Sequence, residues 1–421
     1  MKRKNVIIVG AGFAGLQLAK HLDEKYFDVL LIDKLNHHQF QPLFYQVATS
    51  QIEPSSISFP IRNIFKKQNN ITIRLAEFQK VNAANNSITT DIGEFNYDYL
   101  VLAIGCKTNF YGNAEIEKNA FSLKSTYEAI TIRNHILLTF EKIISANESE
   151  KEALMNLVIV GGGPTGVELA GSFAEIKTHV LPKDYPNIDF SNFNITLVEG
   201  SKHTLNSMSE KSKNASEMYL RKLGVNIITE VFVKNYDGET LTFNNGNSIK
   251  TKTLIWAAGV TANTFEGIQK DVYTTGNRIK VNRQNVIEGY ETIFAIGDIA
   301  YMPTPLYPNG HPQLANVAIN QAKNVARNLN AKITGKSPTD YEYKDLGSMA
   351  TIGRNKAVVD LNSIHLKGFF AWVIWMSLHL MLILSVRNKL IIFINWAWTY
   401  LTKDSSLRLI LTSKKSLNKE S

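Results

Sequence analysis

The chain has 421 residues, 44% hydrophobic and 20% charged, which is typical of a folded protein of two or three domains rather than a disordered one. Its net charge of +9 is compatible with anionic ligands or an anionic membrane surface. The absence of zinc-ligand spacing and of a dense Lys/Arg tract argues against nucleic acid, and the single cysteine, Cys106, excludes a disulfide framework or a dithiol pair.

The N-terminal segment "NVIIVGAGFAG" predicts a strand, a glycine-rich turn and a helix that begins near Ala14. Gly10 permits the tight turn, Gly12 lets the backbone approach a pyrophosphate, and Gly15 allows the helix to pack closely on the strand. A second strand ends at Asp33, about 20 residues on, where an acid is expected at a ribose hydroxyl. The basic start resembles a signal peptide, but the glycine pattern favours a cytoplasmic N-terminus.

The same pattern recurs at "NLVIVGGGPTGVELAG", which predicts a second dinucleotide site. Gly161, Gly163 and Gly166 take the three glycine positions, and Glu199 ends the following strand after an insertion rich in turn-forming residues. An acid at this position favours NAD(H) over NADP(H), because it would repel a 2′-phosphate. Each copy also has a later apolar strand that ends in small residues, at Gly105 and at Gly259. The chain therefore contains two similar α/β units.

The segment "ETIFAIGDIA" resembles the flavin signature of the two-dinucleotide flavoprotein reductases. The resemblance implies that Asp298 bonds the ribityl chain of FAD and that the Gly297 amide meets its pyrophosphate. We therefore expect an FAD-binding domain over 1–115 and 282–340, an NADH-binding domain over 116–281, and a C-terminal membrane-anchoring domain over 341–421. The predicted fold class is α/β: two Rossmann-type dinucleotide-binding domains, glutathione-reductase-like, plus a membrane-associated amphipathic helical region.

The stretch "FQPLFYQVATSQIEP", with "WAAGV", "FAIGD" and "RNKLIIFINWAWTYLT", resembles the type II NADH:quinone oxidoreductases over nearly the whole chain. These are single-subunit respiratory dehydrogenases that do not pump protons. The resemblance implies that Gln46, Val47 and Ala48 lie near the flavin, while Phe44 and Tyr45 are either their apolar neighbours or core residues.

Further site residues follow from this resemblance. Glu168 would lie near nicotinamide and quinone, although a capping box formed with Thr165 also explains this acid. Asn316 and Asn320 replace family glutamines at the quinone site, which puts the headgroup preference in doubt. Cys106, at the end of an apolar strand, is predicted to be a core residue. The remaining expected contacts to FAD and NADH are Phe13, Ala14, Lys34, Ala103, Leu314, Ala315, Thr165 and Ala258.

The C-terminal segment 368–386 has no charged residue and is long enough to span a membrane, whereas 390–402 is too short. The tail beyond 402 is net basic, which disfavours its export across a membrane. We therefore predict a helical hairpin that lies in the interface, with Trp396 and Trp398 at headgroup level. This implies a peripheral enzyme on the cytoplasmic face of the cell membrane, an anionic lipid partner, and, by resemblance, a homodimer.

The predicted activity is hydride transfer from NADH to FAD, followed by reduction of a membrane quinone. Two alternatives stay open at this point. One is a soluble NADH-dependent ferredoxin-type reductase or diaphorase, against which the apolar C-terminus argues. The other is a flavin-bearing redox sensor.

Overall fold

The computed structural model describes residues 2–404 and 407–410. The described chain divides into two compact units, each built from three segments. Unit 1 comprises Met1–Gln39, Phe59–Lys107 and Val260–Lys344, and unit 2 comprises Phe40–Ser58, Thr108–Gly259 and Asp345–Ser421, as far as these segments are described.

The strands and helices, numbered in chain order, have the following bounds. The strands are β1 (Lys4–Val9), β2 (Phe27–Asp33), β3 (His37–Gln39), β4 (Ser58–Pro60), β5 (Ile71–Leu75), β6 (Phe78–Asn82), β7 (Ser87–Thr90), β8 (Gly93–Asn96), β9 (Tyr99–Leu102), β10 (Cys106–Thr108), β11 (Asn156–Val160), β12 (Asn194–Val198), β13 (Val225–Ile228), β14 (Val233–Tyr236), β15 (Thr240–Phe243), β16 (Ser248–Lys250), β17 (Thr253–Trp256), β18 (Val260–Ala262), β19 (Ile279–Lys280), β20 (Ile293–Ala295), β21 (Ala300–Tyr301), β22 (Ser348–Thr351), β23 (Ala357–Leu361) and β24 (Ile364–Lys367). The α-helices are α1 (Phe13–His21), α2 (Phe44–Ala48), α3 (Ile61–Ile64), α4 (Ala114–Asn119), α5 (Thr126–Ser145), α6 (Glu148–Leu154), α7 (Pro164–His179), α8 (Leu181–Asp184), α9 (Glu210–Lys222), α10 (Ala315–Ile333), α11 (Phe369–Leu382) and α12 (Val386–Thr402).

Unit 1 is organised around a parallel sheet with the strand order β20-β9-β1-β2-β5. The apolar run Val6–Val9 of β1 is buried throughout, as expected of a parallel strand that is covered on both faces. Helix α1 packs against α10. Strand β20 pairs with β9, so a segment late in the chain completes the sheet that the N-terminus begins.

Unit 2 has a second parallel sheet, with the order β13-β12-β11-β17, and an antiparallel meander of β14, β15 and β16. A third sheet, β22-β23-β24, is antiparallel and packs against α9 and α11. The two parallel sheets confirm the predicted α/β class with two Rossmann-type halves.

The compact units divide the chain differently from the predicted domains. Segment 40–58 belongs to unit 2, because α2 packs on α5 and α7. Segment 260–281 belongs to unit 1, where β19 pairs with β21. The assignment of one cofactor to each domain stays a prediction.

The C-terminal region was predicted to be helical, yet three strands precede its helices. The apolar stretch 368–386 does not form one long helix, because α11 ends at Leu382 and α12 begins at Val386. Among residues 2–404 and 407–410, no helix is both long and apolar enough to cross a membrane. Most of the basic tail lies outside the described residues.

Candidate active site

The first glycine-rich turn, in unit 1, has two packed glycines and one open one. Gly10 has φ +102°, and a Cβ there would lie 2.3 Å from the Ala103 carbonyl oxygen. A Cβ on Gly15 would lie 1.8 Å from the Gly10 carbonyl oxygen, whereas a Cβ on Gly12 would meet no atom within 4 Å. Gly10 and Gly15 therefore pack against backbone atoms. Gly12 leaves open space at the start of α1, where the helix presents its N–H groups.

The second turn, in unit 2, repeats this arrangement. Gly161 has φ +113° and lies against Ala257, and a Cβ on Gly166 would lie 1.8 Å from the Gly161 carbonyl oxygen. A Cβ on Gly163 would meet no atom within 4 Å. Both turns thus fit a pyrophosphate at the start of the following helix, which is α7 in this unit.

The acids at the strand ends accept hydrogen bonds from these turns. Asp33 accepts from the Ala11 N–H (2.6 Å) and the Leu35 N–H (2.7 Å), and burial raises its pKa although these bonds lower it. Glu199 accepts from the Gly162 N–H (2.5 Å) and the Ser201 N–H. Each acid therefore lies next to its own glycine turn, as the predicted ribose contact requires.

Gly297 and Asp298 lie next to the first turn in unit 1. A Cβ on Gly297 would lie 3.3 Å from the Ala14 side chain, and its N–H donates to the Gln321 Oε1 (2.8 Å). Cys106 is half-buried, and its thiol donates to the Asp298 carboxylate (Sγ–Oδ2, 3.0 Å). Cys106 is therefore not the core residue that the sequence predicted, because the apolar strand β9 ends at Leu102 and Cys106 begins the separate short strand β10.

Glu168 on α7 is buried in unit 2, with 7% of its surface exposed. Its carboxyl group accepts from the Thr351 N–H (3.4 Å) and from the Trp375 indole. Burial raises the pKa of Glu168 to about 8, although both hydrogen bonds lower it. The alternative explanation of Glu168 as a capping-box acid is wrong: α7 begins after Gly163 without a side-chain cap, and Glu168 bonds β22 and α11 instead.

A chain of hydrogen bonds continues from Thr351 to the C-terminal helices of unit 2. The Thr351 hydroxyl is 3.1 Å from the Tyr45 hydroxyl, which accepts from the Gln46 Nε2 (2.9 Å). Gln46 in turn accepts at Oε1 from the Trp396 indole N–H (2.8 Å). Both ends of the buried Gln46 amide are thus fixed, and Gln46 itself lies in the short helix α2.

Thr351, Tyr45, Gln46 and Trp396 line a cavity in unit 2. Tyr45, Gln46, Trp375 and Trp396 form one part of its wall. The rest of the wall comes mainly from α7, the β22–β23 turn and α12, through Glu175, His179, Arg354, Tyr400 and Lys403. Such an aromatic cavity with a few fixed polar groups suits a flat, mostly apolar molecule with polar oxygens.

Trp396 corrects a sequence expectation, since we predicted it at headgroup level together with Trp398. Trp396 is 8% exposed and points into unit 2, whereas Trp398 is 58% exposed. The signal was present in the sequence: the buried residues Asn388, Ile392 and Trp396 recur every four positions, which marks one face of a helix. Three functional candidates, Thr351, Trp375 and Gln321, were missed altogether. Thr351 and Trp375 belong to no local motif, and Gln321 ends the altered family pattern that contains Asn316 and Asn320.

The remaining predicted residues divide between the two units. Asn316 and Asn320 are half-buried on α10 and bond each other (Nδ2–Oδ1, 2.8 Å). The structure brings Gln46, Val47 and Ala48 together with Glu168 in unit 2, whereas Asn316 and Asn320 lie in unit 1. The other candidates in unit 1 are Phe13, Ala14, Lys34, Ala103, Gly105, Leu314 and Ala315; those in unit 2 are Thr165, Ala258 and Gly259.

Comparison with known proteins identifies the family. The pyridine nucleotide-disulphide oxidoreductase family model matches residues 4–322, and the NDH2 C-terminal domain model matches residues 346–403. The type II NADH:quinone oxidoreductase Ndh of Mycobacterium tuberculosis is 32% identical over 95% of this chain and 89% of its own length. The type II enzyme of Staphylococcus haemolyticus is 28% identical over 85% of this chain and 89% of its own length.

Solved structures show the same fold. NDH2 from Plasmodium falciparum, solved in complex with NADH, superposes with a TM-score of 0.88 at 22% identity, covering 98% of this chain and 100% of that one. The sulfide:quinone oxidoreductase of Aquifex aeolicus gives 0.71 at 20% identity, covering 92% of each chain. With two open glycine turns, a full-length relative above 30% identity and a matching C-terminal domain, this chain belongs to the type II NADH:quinone oxidoreductase family.

Proposed function

We propose that this chain oxidises NADH and passes the electrons through FAD to a quinone. The observation that carries the proposal is the aromatic cavity of unit 2, whose wall holds a fixed amide, a buried tyrosine hydroxyl and two tryptophans. The two glycine turns supply the two dinucleotide sites that such a reaction needs. FAD supplies the two-electron acceptor for the nicotinamide hydride, which protein side chains cannot provide.

The residues Gly10, Gly12, Gly15, Asp33, Gly297 and Asp298 would hold FAD, and Gly161, Gly163, Gly166 and Glu199 would hold NADH. In each site the open middle glycine leaves room for the pyrophosphate, and the helix start offers it N–H groups. The acid at the strand end would take the adenosine ribose, so NADH is the preferred donor over NADPH.

Quinone reduction consumes two protons as well as two electrons, and Glu168 is suited to deliver one of them. With a pKa of about 8 its carboxyl group carries a proton at neutral pH, at a position already bonded to Thr351 and Trp375. Gln46 would orient a quinone oxygen, because its amide is fixed at both ends by Tyr45 and Trp396. The role of Asn316 and Asn320, which lie on α10 of unit 1, stays a prediction from the family resemblance.

The protein would take its quinone from a membrane, lying on it rather than within it. Helices α11 and α12 expose large apolar side chains, among them Phe370 (74% exposed) and Leu401 (78%), while their buried faces line the cavity. Such helices bind in the membrane interface. A homodimer and a cytoplasmic orientation are part of the proposal through the family resemblance.

The test is the choice of electron acceptor by the purified, FAD-loaded protein after reduction with NADH. We expect a soluble short-chain quinone to reoxidise the flavin faster than oxygen, a disulfide or ferredoxin does. Preferential reoxidation by ferredoxin would support the soluble reductase instead. Reduction by NADH without turnover on any acceptor would support the redox sensor.

A further inference from the structure

A basic pocket in unit 2 lies between helix α9 and the edge strand β24, and none of its lining residues belongs to the glycine turn of that unit. Helix α9 contributes Lys211, Asn214 and Met218, which share one face because they are three and four residues apart. Strand β24 contributes His365 and Lys367, which share one face because they are two residues apart. No carboxylate lines this pocket among the residues that the structure describes.

The pocket is held in shape by one half-buried anchor, Asp360. Its carboxylate accepts from the Ser209 N–H (2.7 Å) and hydroxyl (2.9 Å), the Ser212 hydroxyl (2.7 Å) and the His365 Nδ1 (2.8 Å). Burial works against ionisation of Asp360, but these hydrogen bonds outweigh it and lower its pKa. The start of α9 is therefore tied to the β23–β24 hairpin, and His365 is oriented through Nδ1 without using Nε2 in that bond.

The two lysines are available for an external anion. Within residues 2–404 and 407–410, the structure records no ion pair for the Lys211 or Lys367 ammonium group, whereas Lys213 on the same helix pairs with Glu210. The pocket is lined by two ammonium groups, an amide and an imidazole nitrogen. These groups match a phosphate, which offers several oxygen acceptors.

The position of the pocket indicates where the phosphate would come from. Lys367 is followed by Gly368 and then by Phe369 and Phe370, which are exposed at the start of α11. Two residues of chain span at most about 7 Å, so the Cα atom of Lys367 lies within about 7 Å of the Cα atom of Phe369. An interfacial helix buries its apolar face about 5–10 Å into the boundary between headgroups and acyl chains. Lys367, next to the start of α11, would then lie at the level of the lipid phosphates.

We propose that the Lys211–Lys367 pocket binds the phosphate headgroup of an anionic membrane lipid. This inference rests on the membrane docking in the proposed function and adds a defined headgroup site to it. The pocket would make membrane attachment selective for anionic lipid. Together with the apolar face of α11, it would also fix the orientation of this helix on the membrane surface.

The experiment uses the full-length FAD-loaded protein and a monomeric short-chain phosphatidylglycerol as the probe, measured by calorimetric titration. The wild-type protein is expected to bind it at one saturable site. The double variant Lys211→Gln/Lys367→Gln should bind at least about tenfold more weakly, since each lysine near an anionic lipid is worth roughly fivefold. The matched control Lys118→Gln/Lys234→Gln removes the same charge from exposed positions on α4 and β14, outside the pocket and outside the C-terminal helices, and should retain the affinity. Equal losses in both variants would overturn the site.

A second arm separates a lipid from free phosphate. Flotation with vesicles of phosphatidylcholine alone, or with phosphatidylglycerol added, should show a gain from the anionic lipid that the pocket variant loses and the control keeps. If inorganic phosphate binds as tightly as the short-chain lipid and vesicle composition makes no difference to the wild-type protein, the lipid assignment is wrong. NADH oxidation with a soluble quinone is measured on the same preparations: its absence in the wild type contradicts the proposed function, whereas unchanged lipid selectivity in the variant contradicts only the pocket.

Discussion

The Trp396 indole N–H donates to the side-chain carbonyl of Gln46, 2.8 Å away, and so joins α12 to the short helix α2 across 350 positions of sequence. Both residues are buried and both line the aromatic cavity. The C-terminal helices therefore form part of the proposed quinone site as well as offering an apolar surface.

Replacing Trp396 with Phe tests this connection. The change keeps an aromatic ring but leaves the buried Gln46 oxygen without its donor, which costs about 1–3 kcal/mol. We expect the KM for a soluble quinone to rise about 5- to 150-fold, while the single-turnover reduction of the flavin by NADH is unchanged. Trp398→Phe, two positions away at an exposed site, is the matched control. A slower reduction by NADH in Trp396→Phe would contradict the assignment.

The proton held by Glu168 predicts a pH dependence of the quinone step. Below a pH of about 8 the carboxyl group is protonated, so flavin reoxidation by quinone should be fast and should decline as the pH rises through that value. Glu168→Gln cannot donate a proton, so its reoxidation should be slow and independent of pH between about 6 and 9. Stopped-flow reoxidation of the reduced protein measures both. A Gln variant that retains the wild-type profile would remove Glu168 from the proton path.

The same group predicts an effect on stability. The unfolded chain releases the Glu168 proton near its ordinary pKa of 4.5, whereas the folded protein keeps it up to about 8. The folded state therefore binds the extra proton in this window, so stability falls as the pH rises from about 5 to 8, at up to ~1.4 kcal/mol per pH unit. Glu168→Gln should show a flatter dependence of Tm on pH over this window in thermal unfolding. An equally steep dependence in the variant would mean that other groups cause it.

A pair of alanine substitutions assigns the cofactors to the two turns. A Cβ on Gly12 or on Gly163 meets no protein atom, so both variants should fold, yet the methyl group would occupy the space proposed for a pyrophosphate. Gly12→Ala should purify with less FAD, and Gly163→Ala should keep its FAD but show a raised KM for NADH. Flavin released by acid is identified by chromatography and should be FAD, not FMN. The reverse pattern would exchange the two assignments.

Glu199 predicts the choice of nicotinamide cofactor. The wild-type protein should have a higher kcat/KM with NADH than with NADPH, and Glu199→Ala should narrow the difference by about 1–3 kcal/mol, the value of a hydrogen bond to a charged group. Because Glu199 also accepts from the Gly162 N–H, Glu199→Gln is included to keep an acceptor at the turn. Glu148→Ala, at a fully exposed acid in unit 2, is the control. Equal use of both cofactors by the wild type would mean that Glu199 is not at the ribose.

Membrane attachment is best tested by point substitutions, because deleting the helices from about 366 would also remove the buried Trp375 and Trp396 from the cavity. Phe370→Glu/Leu401→Glu places charges on the exposed apolar faces of α11 and α12. Each apolar side chain contributes about 25 cal/mol per Å² buried, so sedimentation with liposomes should fall sharply. Activity with a soluble quinone should persist. Tyr127→Glu/Ile144→Glu, on the exposed face of α5, should still sediment.

The sequence by itself determined the two nucleotide-binding halves, because each fingerprint is local: a strand, three glycines at fixed spacing and an acid at the next strand end. The structure shows why each outer glycine is needed, since a Cβ at Gly10, Gly15, Gly161 or Gly166 would meet backbone atoms. Helical periodicity also marked the inward face of α12, although we read Trp396 as a headgroup anchor.

Only the tertiary structure decided the environment of Glu168 and the wall of the cavity. The raised pKa of Glu168 depends on burial by α7, β22 and α11 together, and the fixed amide of Gln46 depends on Trp396 from the far end of the chain. No local pattern encodes such contacts, because their partners are brought together by the packing of whole elements. The same reason explains why three strands inside the C-terminal region and the pocket anchored by Asp360 were not predicted: short edge strands carry little periodic signal, and their pairing is set by their neighbours in space.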